Sequence, residues 1–376
     1  MSGHDLASLP FAARREVTEL GVAFVCTTHV NGRLSFVPTA PVVVVNAGAI
    51  SPLVALLTGG AAEVKEHAFN ALSMLAIRGA TTKLAIASGL VMFVGTGSAE
   101  SQEQATMLLL HLAQFPDNCK AIANAGAAPR LVAQLKGGGR TSQRAQELAA
   151  AVLAYLSSLE ECVRSIVASN GIRPLVGMLS PNSPAAAHAA AVLSAMARTS
   201  VRNQRQVISE GAIWPLVNLL VQGKPRAKAE AAGALLCLTA GQPATQRSVA
   251  EAGAIKPLIQ LLGESDELCL TKAAGAVAAL CKGSVDNQDA VEKAKGIGKL
   301  VALLKPPMSD EVNAEAAAAL AVLADANAKN QHEVADAGGI EPLVALLEVD
   351  QSVASQDDKV EAEIEANATG ARARKS

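Results

Sequence analysis

Aromatic side chains are scarce in this chain: Phe, Trp and Tyr together make up 2% of 376 residues, with a single Trp and a single Tyr. That leaves little on which bases could stack, and a formal net charge of -2 supplies no basic footprint, so nucleic acid is not an expected ligand. No run of about 18 uninterrupted apolar residues occurs, which argues against an integral membrane segment. The start, Met1-Ser-Gly-His-Asp, lacks a basic n-region and a glycine at the second position, so neither a signal peptide nor a myristoyl anchor is expected. The six cysteines (Cys26, Cys119, Cys162, Cys237, Cys269, Cys281) never form Cys-x-x-Cys, and most fall in helical apolar patterns, as buried thiols of a reducing compartment do. His4, His29, His67, His111, His188 and His332 are scattered, without His-Glu-x-x-His, so neither a metal nor any other cofactor is implied. The nucleotide-cradling pattern Gly-x-x-x-x-Gly-Lys-Ser/Thr is missing, and the runs Lys136-Gly-Gly-Gly-Arg-Thr-Ser142 and Gly95-Thr-Gly97-Ser read as turns. No catalytic residue can be nominated, and an enzyme is not expected.

Small aliphatic residues are abundant, and they recur in order. Half of the chain is hydrophobic. The phrase Gly48-Ala-Ile-Ser-Pro-Leu-Val-Ala-Leu-Leu57 returns as Gly211-Ala-Ile-Trp-Pro-Leu-Val-Asn-Leu-Leu220, Gly253-Ala-Ile-Lys-Pro-Leu-Ile-Gln-Leu-Leu262 and Gly338-Gly-Ile-Glu-Pro-Leu-Val-Ala-Leu-Leu347. Weaker copies begin at Gly89, Gly126, Asn170 and Lys295. The residues after the proline position are Leu53, Val94, Leu131, Leu175, Leu216, Leu258, Leu300 and Leu343, at intervals of 41, 37, 44, 41, 42, 42 and 43. A fixed period on this scale marks a solenoid, in which each unit buries its apolar face only against its neighbours.

One period holds three helical segments. Thr245 to Ala252 is a short amphipathic stretch closed by Gly253, a residue that reaches the left-handed conformation without steric penalty. Pro257 opens a second helix in its first turn, where a missing N–H is harmless, and Leu258, Ile259, Leu261 and Leu262 give it an apolar stripe. Gly263-Glu-Ser-Asp-Glu interrupts, and an Ala-rich third helix runs from Leu268 to Leu280. Thr81, Asn118, Asn203, Thr245, Asn287 and Asn330, each eight residues before a turn, are expected to cap the first helices. Leu258 should be fully buried, and Trp214 should lie exposed on the start of a second helix.

A unit of three helices and about 42 residues with the turn phrase Gly-Ala-Ile-x-Pro-Leu-Val-x-Leu-Leu resembles the armadillo repeat family. The resemblance implies an all-α, right-handed superhelical solenoid whose third helices line a groove for extended peptides or partner proteins. The expected organisation is a divergent N-terminal segment over 1–45, the array over 46–348 and a polar tail over 349–376. A short helix is expected over Ser8 to Leu20 and a ragged one over Asp357 to Ala366. Within 22–45, alternation around Asn31-Gly32 signals a hairpin.

By the same resemblance, the family's groove row falls at Met74, His111, Tyr155, Ala195, Cys237, Ala279 and Val322. Importin-alpha type members carry Asn in that row and Trp one turn earlier. Here the earlier row reads Asn70, Met107, Ala151, Ala191, Gly233, Gly275 and Ala318, so neither set is present, and binding of classical nuclear signals is disfavoured. In this the chain is similar to the scaffold-type armadillo modules of vacuolar and plant U-box proteins. One further turn back, the row reads Glu66, Glu103, Glu147, Ala187, Ala229, Thr271 and Ala314. The expected partner-binding groove is therefore Glu66, Asn70, Met74, Glu103, Met107, His111, Glu147, Tyr155 and Cys237. A basic or polar segment would lie over the glutamates and an apolar helix face over the Ala and Gly positions. The expected function is a non-enzymatic scaffold for a protein or peptide ligand, cytoplasmic with the nucleus as a second compartment. The alternatives are a karyopherin-like transport adaptor and a substrate adaptor for a ubiquitin ligase. Nothing in the sequence sets an oligomeric state.

Overall fold

The Ala-rich segments form helices, and Gly, Pro and Asn punctuate them at the period of the sequence repeat. The computed structural model describes residues 24–26, 36–38, 50–59, 62–76, 80–137 and 141–346. The expected terminal helices over Ser8 to Leu20 and Asp357 to Ala366 lie outside them. The chain divides into two compact units, Met1–Leu238 and Thr239–Ser376, a division the sequence repeat does not announce.

In the first unit the hairpin signal is realised as two short strands. Here β1 (Phe24–Cys26) pairs antiparallel with β2 (Phe36–Pro38), Val25 opposite Val37. Then come α1 (Ile50–Gly59), α2 (Ala62–Ala76), α3 (Ala80–Thr96), α4 (Ala99–Ala113), α5 (Pro116–Asn124), α6 (Ala127–Leu135) and α7 (Gln143–Leu156). They are followed by α8 (Glu160–Ala168), α9 (Ile172–Gly177), α10 (Ala186–Thr199), α11 (Val201–Ser209), α12 (Ile213–Gln222) and α13 (Pro225–Thr239). The third helices α4, α7 and α10 pack side by side, each on the next.

The second unit contains α14 (Pro243–Glu251), α15 (Ile255–Leu261), α16 (Glu267–Cys281), α17 (Val285–Lys293), α18 (Gly296–Leu303), α19 (Asp310–Ala324) and α20 (Ala328–Asp336), then a last helix over 340–346. The three segments expected between Thr245 and Leu280 are α14, α15 and α16. Leu258 is 1% exposed. Gly253 takes φ +86° in the turn after α14, and the turn recurs in the left-handed region at Gly126, Asn170, Gly211, Lys295 and Gly338.

Two expectations fail. No turn forms at Gly89, because α3 runs unbroken through the place where a first and a second helix were expected to meet. The period is shortest beside it, and no proline forces a new first turn there. Gly89 stays helical and lets Ile50 approach, whose Cγ2 would stand 3.2 Å from an added Cβ.

The second failure concerns the caps. Asn118, Asn203, Asn287 and Asn330 sit at the third position of their helices, not at the cap. The capping oxygens belong to residues three earlier: Ser200, Ser284 and Asn327 accept from the backbone N–H of Asn203, Asn287 and Asn330. The Asn amides donate elsewhere. Asn118 Nδ2 bonds the Leu112 carbonyl at 3.0 Å, Asn287 Nδ2 that of Leu280 at 2.7 Å and Asn330 Nδ2 that of Leu323 at 2.9 Å, each on the preceding third helix. The next residue is a glutamine in four such positions, and in three of them it reaches forward. Gln204 Nε2 donates to the Cys237 carbonyl, Gln246 Nε2 to those of Ala279 and Lys282, and Gln288 Nε2 to those of Val322 and Asp325. These amides thus serve carbonyls at the ends of third helices, where intrahelical donors run out.

Candidate functional site

A third helix can bury only the stripe that meets its neighbours, so one stripe faces outward. On α2 that stripe holds Glu66 and Asn70, both exposed; Met74 belongs to the same helix, but its side chain lies outside the described residues. On α4 it holds Glu103, Met107 and His111, and on α7 Glu147 and Tyr155. Met107 is 38% and Tyr155 39% exposed. Residues eight apart on a helix stand about 12 Å apart along its axis. The glutamates therefore form one row and His111 and Tyr155 another, with Asn70 and Met107 between.

The acidic row is built into the scaffold. Ser142, the N-cap of α7, donates its hydroxyl to Glu103 Oε2 at 2.7 Å. Arg144 and Gln143 donate to Glu147 at 3.3 Å, and the Glu147 side chain is 15% exposed. Lys65 pairs with Glu100 beside them. Two cations, Lys65 and Arg144, thus stand among four carboxylates, Glu66, Glu100, Glu103 and Glu147, leaving the row negative.

The other row is aromatic. The half-buried His111 ring lies 5.3 Å from Phe69 and 6.2 Å, edge-on, from Phe115. Sequence reasoning missed Phe69, Phe115 and Ser142. A Ser three residues before Ala145 at the start of an Ala-rich helix is a readable cap signal, whereas the Phe69 and Phe115 neighbours are set by packing across repeats.

Further along the unit the register changes. Ala151, Ala195, Ala229 and Gly233 are buried and Ala187 and Ala191 half-buried, while in the second unit Gly275 is buried but Ala314 and Ala318 are exposed, so the smooth apolar face expected over the Ala and Gly positions is open only in part. Small residues admit close approach of helices, and that removes them from the surface. The outward position near α10 passes to Ser194, whose hydroxyl donates to the Gly233 carbonyl at 3.1 Å and stands 3.5 Å from Cys237 Sγ. Cys237 is half-buried, unlike Cys119, Cys162, Cys269 and Cys281, which are buried. Burial pushes the Cys162 thiol up to about 11, helped by Glu161 and Cys119, and the Cys281 thiol up to about 12. Thiols held protonated in this way are poor nucleophiles. Trp214 is 70% exposed at the start of α12, as its position in the repeat requires. Among the described residues no helix is long and apolar enough to cross a membrane.

Comparison with known proteins bears on the fold. Residues 40–77 match the family model described as Armadillo/beta-catenin-like repeat. No curated protein matches the sequence. Among solved structures, an engineered protein is 31% identical with a TM-score of 0.67, over 82% of this chain and 76% of that one. A designed armadillo repeat protein is 25% identical with a TM-score of 0.55, over 63% of this chain and 99% of its own. Another, in complex with peptide (KR)4, shares the fold at 24% identity and a TM-score of 0.53, over 63% of this chain and 98% of its own. With its period, its three-helix units and these likenesses in hand, the chain belongs to the armadillo-repeat family.

Proposed function

We propose that this protein is a non-enzymatic scaffold that binds an extended segment of a partner protein across the outward face of its third helices. The observation that carries this reading is the contrast within α2, α4 and α7: their inner faces are buried, while Glu66, Asn70, Met107 and Tyr155 stay accessible in ordered rows. Such rows present fixed chemistry to a ligand longer than a metabolite. A designed armadillo repeat protein of the same fold is in complex with the peptide (KR)4, which supports a peptide ligand here. A cytoplasmic location with access to the nucleus, and kinship with the vacuolar and U-box type modules, belong to the same proposal.

Panning a random peptide library on the full-length chain tests it, with captured peptides photo-cross-linked and the adducts mapped. Cross-links on α2, α4 and α7 are expected. Adducts confined to first and second helices, or no captured peptide, would overturn the reading. The karyopherin-like alternative predicts tight capture of a classical nuclear signal, and the ligase-adaptor alternative predicts co-purification of a ligase.

A further inference from the structure

We propose that the segment bound at α2, α4 and α7 has side chains that alternate between basic and apolar. This rests on the scaffold reading above and specifies the chemistry of its ligand.

The two outer rows lie about 12 Å apart along the helix axes, with the Asn70 and Met107 positions between them. Neighbouring helices pack 8–10 Å apart, so three of them present a face of roughly 20 Å, the length of about six extended residues. In an extended chain successive side chains point to opposite sides. A peptide lying flat along the middle row therefore sends alternate side chains to the carboxylates and to the aromatic row, three to each. The Asn70 side chain, with both a donor and an acceptor, sits where the peptide backbone would run.

Charge complementarity selects the occupant of the first side. The excess of carboxylates over cations around Glu66, Glu103 and Glu147 favours lysine or arginine, and the anchoring of Glu103 by Ser142 and of Glu147 by Arg144 fixes those acceptors in place beforehand. The second side offers Tyr155, the Met107 flank and the ring group of Phe69, His111 and Phe115, with no carboxylate among them. An aliphatic or aromatic side chain gains burial there, whereas a cation leaves water without meeting an anion. A uniformly basic segment suits one row and mismatches the other.

Fluorescence anisotropy with the full-length chain and three labelled octapeptides tests this: alternating (KL)4, the block peptide KKKKLLLL and (KR)4. The alternating peptide is expected to bind about tenfold more tightly than either of the others, the factor that one well-made additional contact supplies. Tyr155→Ala should weaken (KL)4 by about fivefold and leave (KR)4 within about twofold, while Glu66→Gln should weaken both; each replaces an exposed side chain and should leave the circular dichroism unchanged. Equal affinities for the three peptides, or a Tyr155→Ala loss as large for (KR)4, would overturn the alternation and leave the scaffold reading standing. Failure of every peptide to bind would likewise overturn the alternation, while the scaffold reading stands or falls with the library panning.

Discussion

Ala326 occupies φ +54° in the turn between α19 and α20, where the two preceding repeats place Gly241 and Gly283 at +67° and +71°. A Cβ is strained in that region, by about 1–2 kcal/mol, and glycine's larger unfolded-state freedom returns only part of the difference. Ala326→Gly should therefore stabilise the protein by about 0.5–1 kcal/mol, read as a rise in the urea midpoint. His188 makes a second residue-scale prediction. Burial lowers its pKa below 6.5, the Arg226 charge lowers it further, and Glu230 opposes them. The unfolded chain thus takes up the proton first on acidification, so stability falls as pH drops through about 6.5 and levels off below the folded-state value. Unfolding curves between pH 8 and 5 should show this slope, and His188→Gln should reduce it; equal slopes would show that other groups carry the dependence.

Elements were the most legible level of the sequence. The turn phrase located the second helices, and the Ala-rich runs the third, because glycine, proline and apolar spacing act locally. The doublets Asn287-Gln288 and Thr245-Gln246 were not legible as what they are. Asn suits a cap, and nothing local says that Ser284 takes that role while the Asn287 amide turns inward to a helix seven residues behind it. The forward reach of Gln246, across more than thirty residues, exists only after packing. Asn287→Ala should cost about 1–3 kcal/mol, since it leaves the Leu280 carbonyl without its donor inside the stack. Chemical denaturation measures that, and a loss below about 0.5 kcal/mol would mean that water replaces the amide. The continuous α3 was hidden for a related reason: glycine permits a turn without requiring one. At the candidate site, the rows of Glu66, Glu103 and Glu147 and of His111 and Tyr155 came from the family resemblance laid over the repeat spacing. The closure of Ala229 and Gly275 did not, because burial of small residues depends on how nearly their helices approach.

At the level of the whole molecule, stability in such arrays is close to a sum over neighbouring repeats, so damage should stay near its origin. Leu258→Ala, at a position 1% exposed in α15, should cost about 2–5 kcal/mol. Hydrogen exchange should accelerate in α14 to α18 and remain near the original rates in α4 to α8. Uniform acceleration would instead mean that the chain unfolds as a single cooperative body.

The last doublet, Asn330-Gln331, differs from those before it. Gln331 Nε2 turns back to the Ala324 carbonyl at 3.0 Å, so both amides grip α19. A doublet can therefore bridge two neighbouring third helices or clamp a single one, and the glutamine alone decides which.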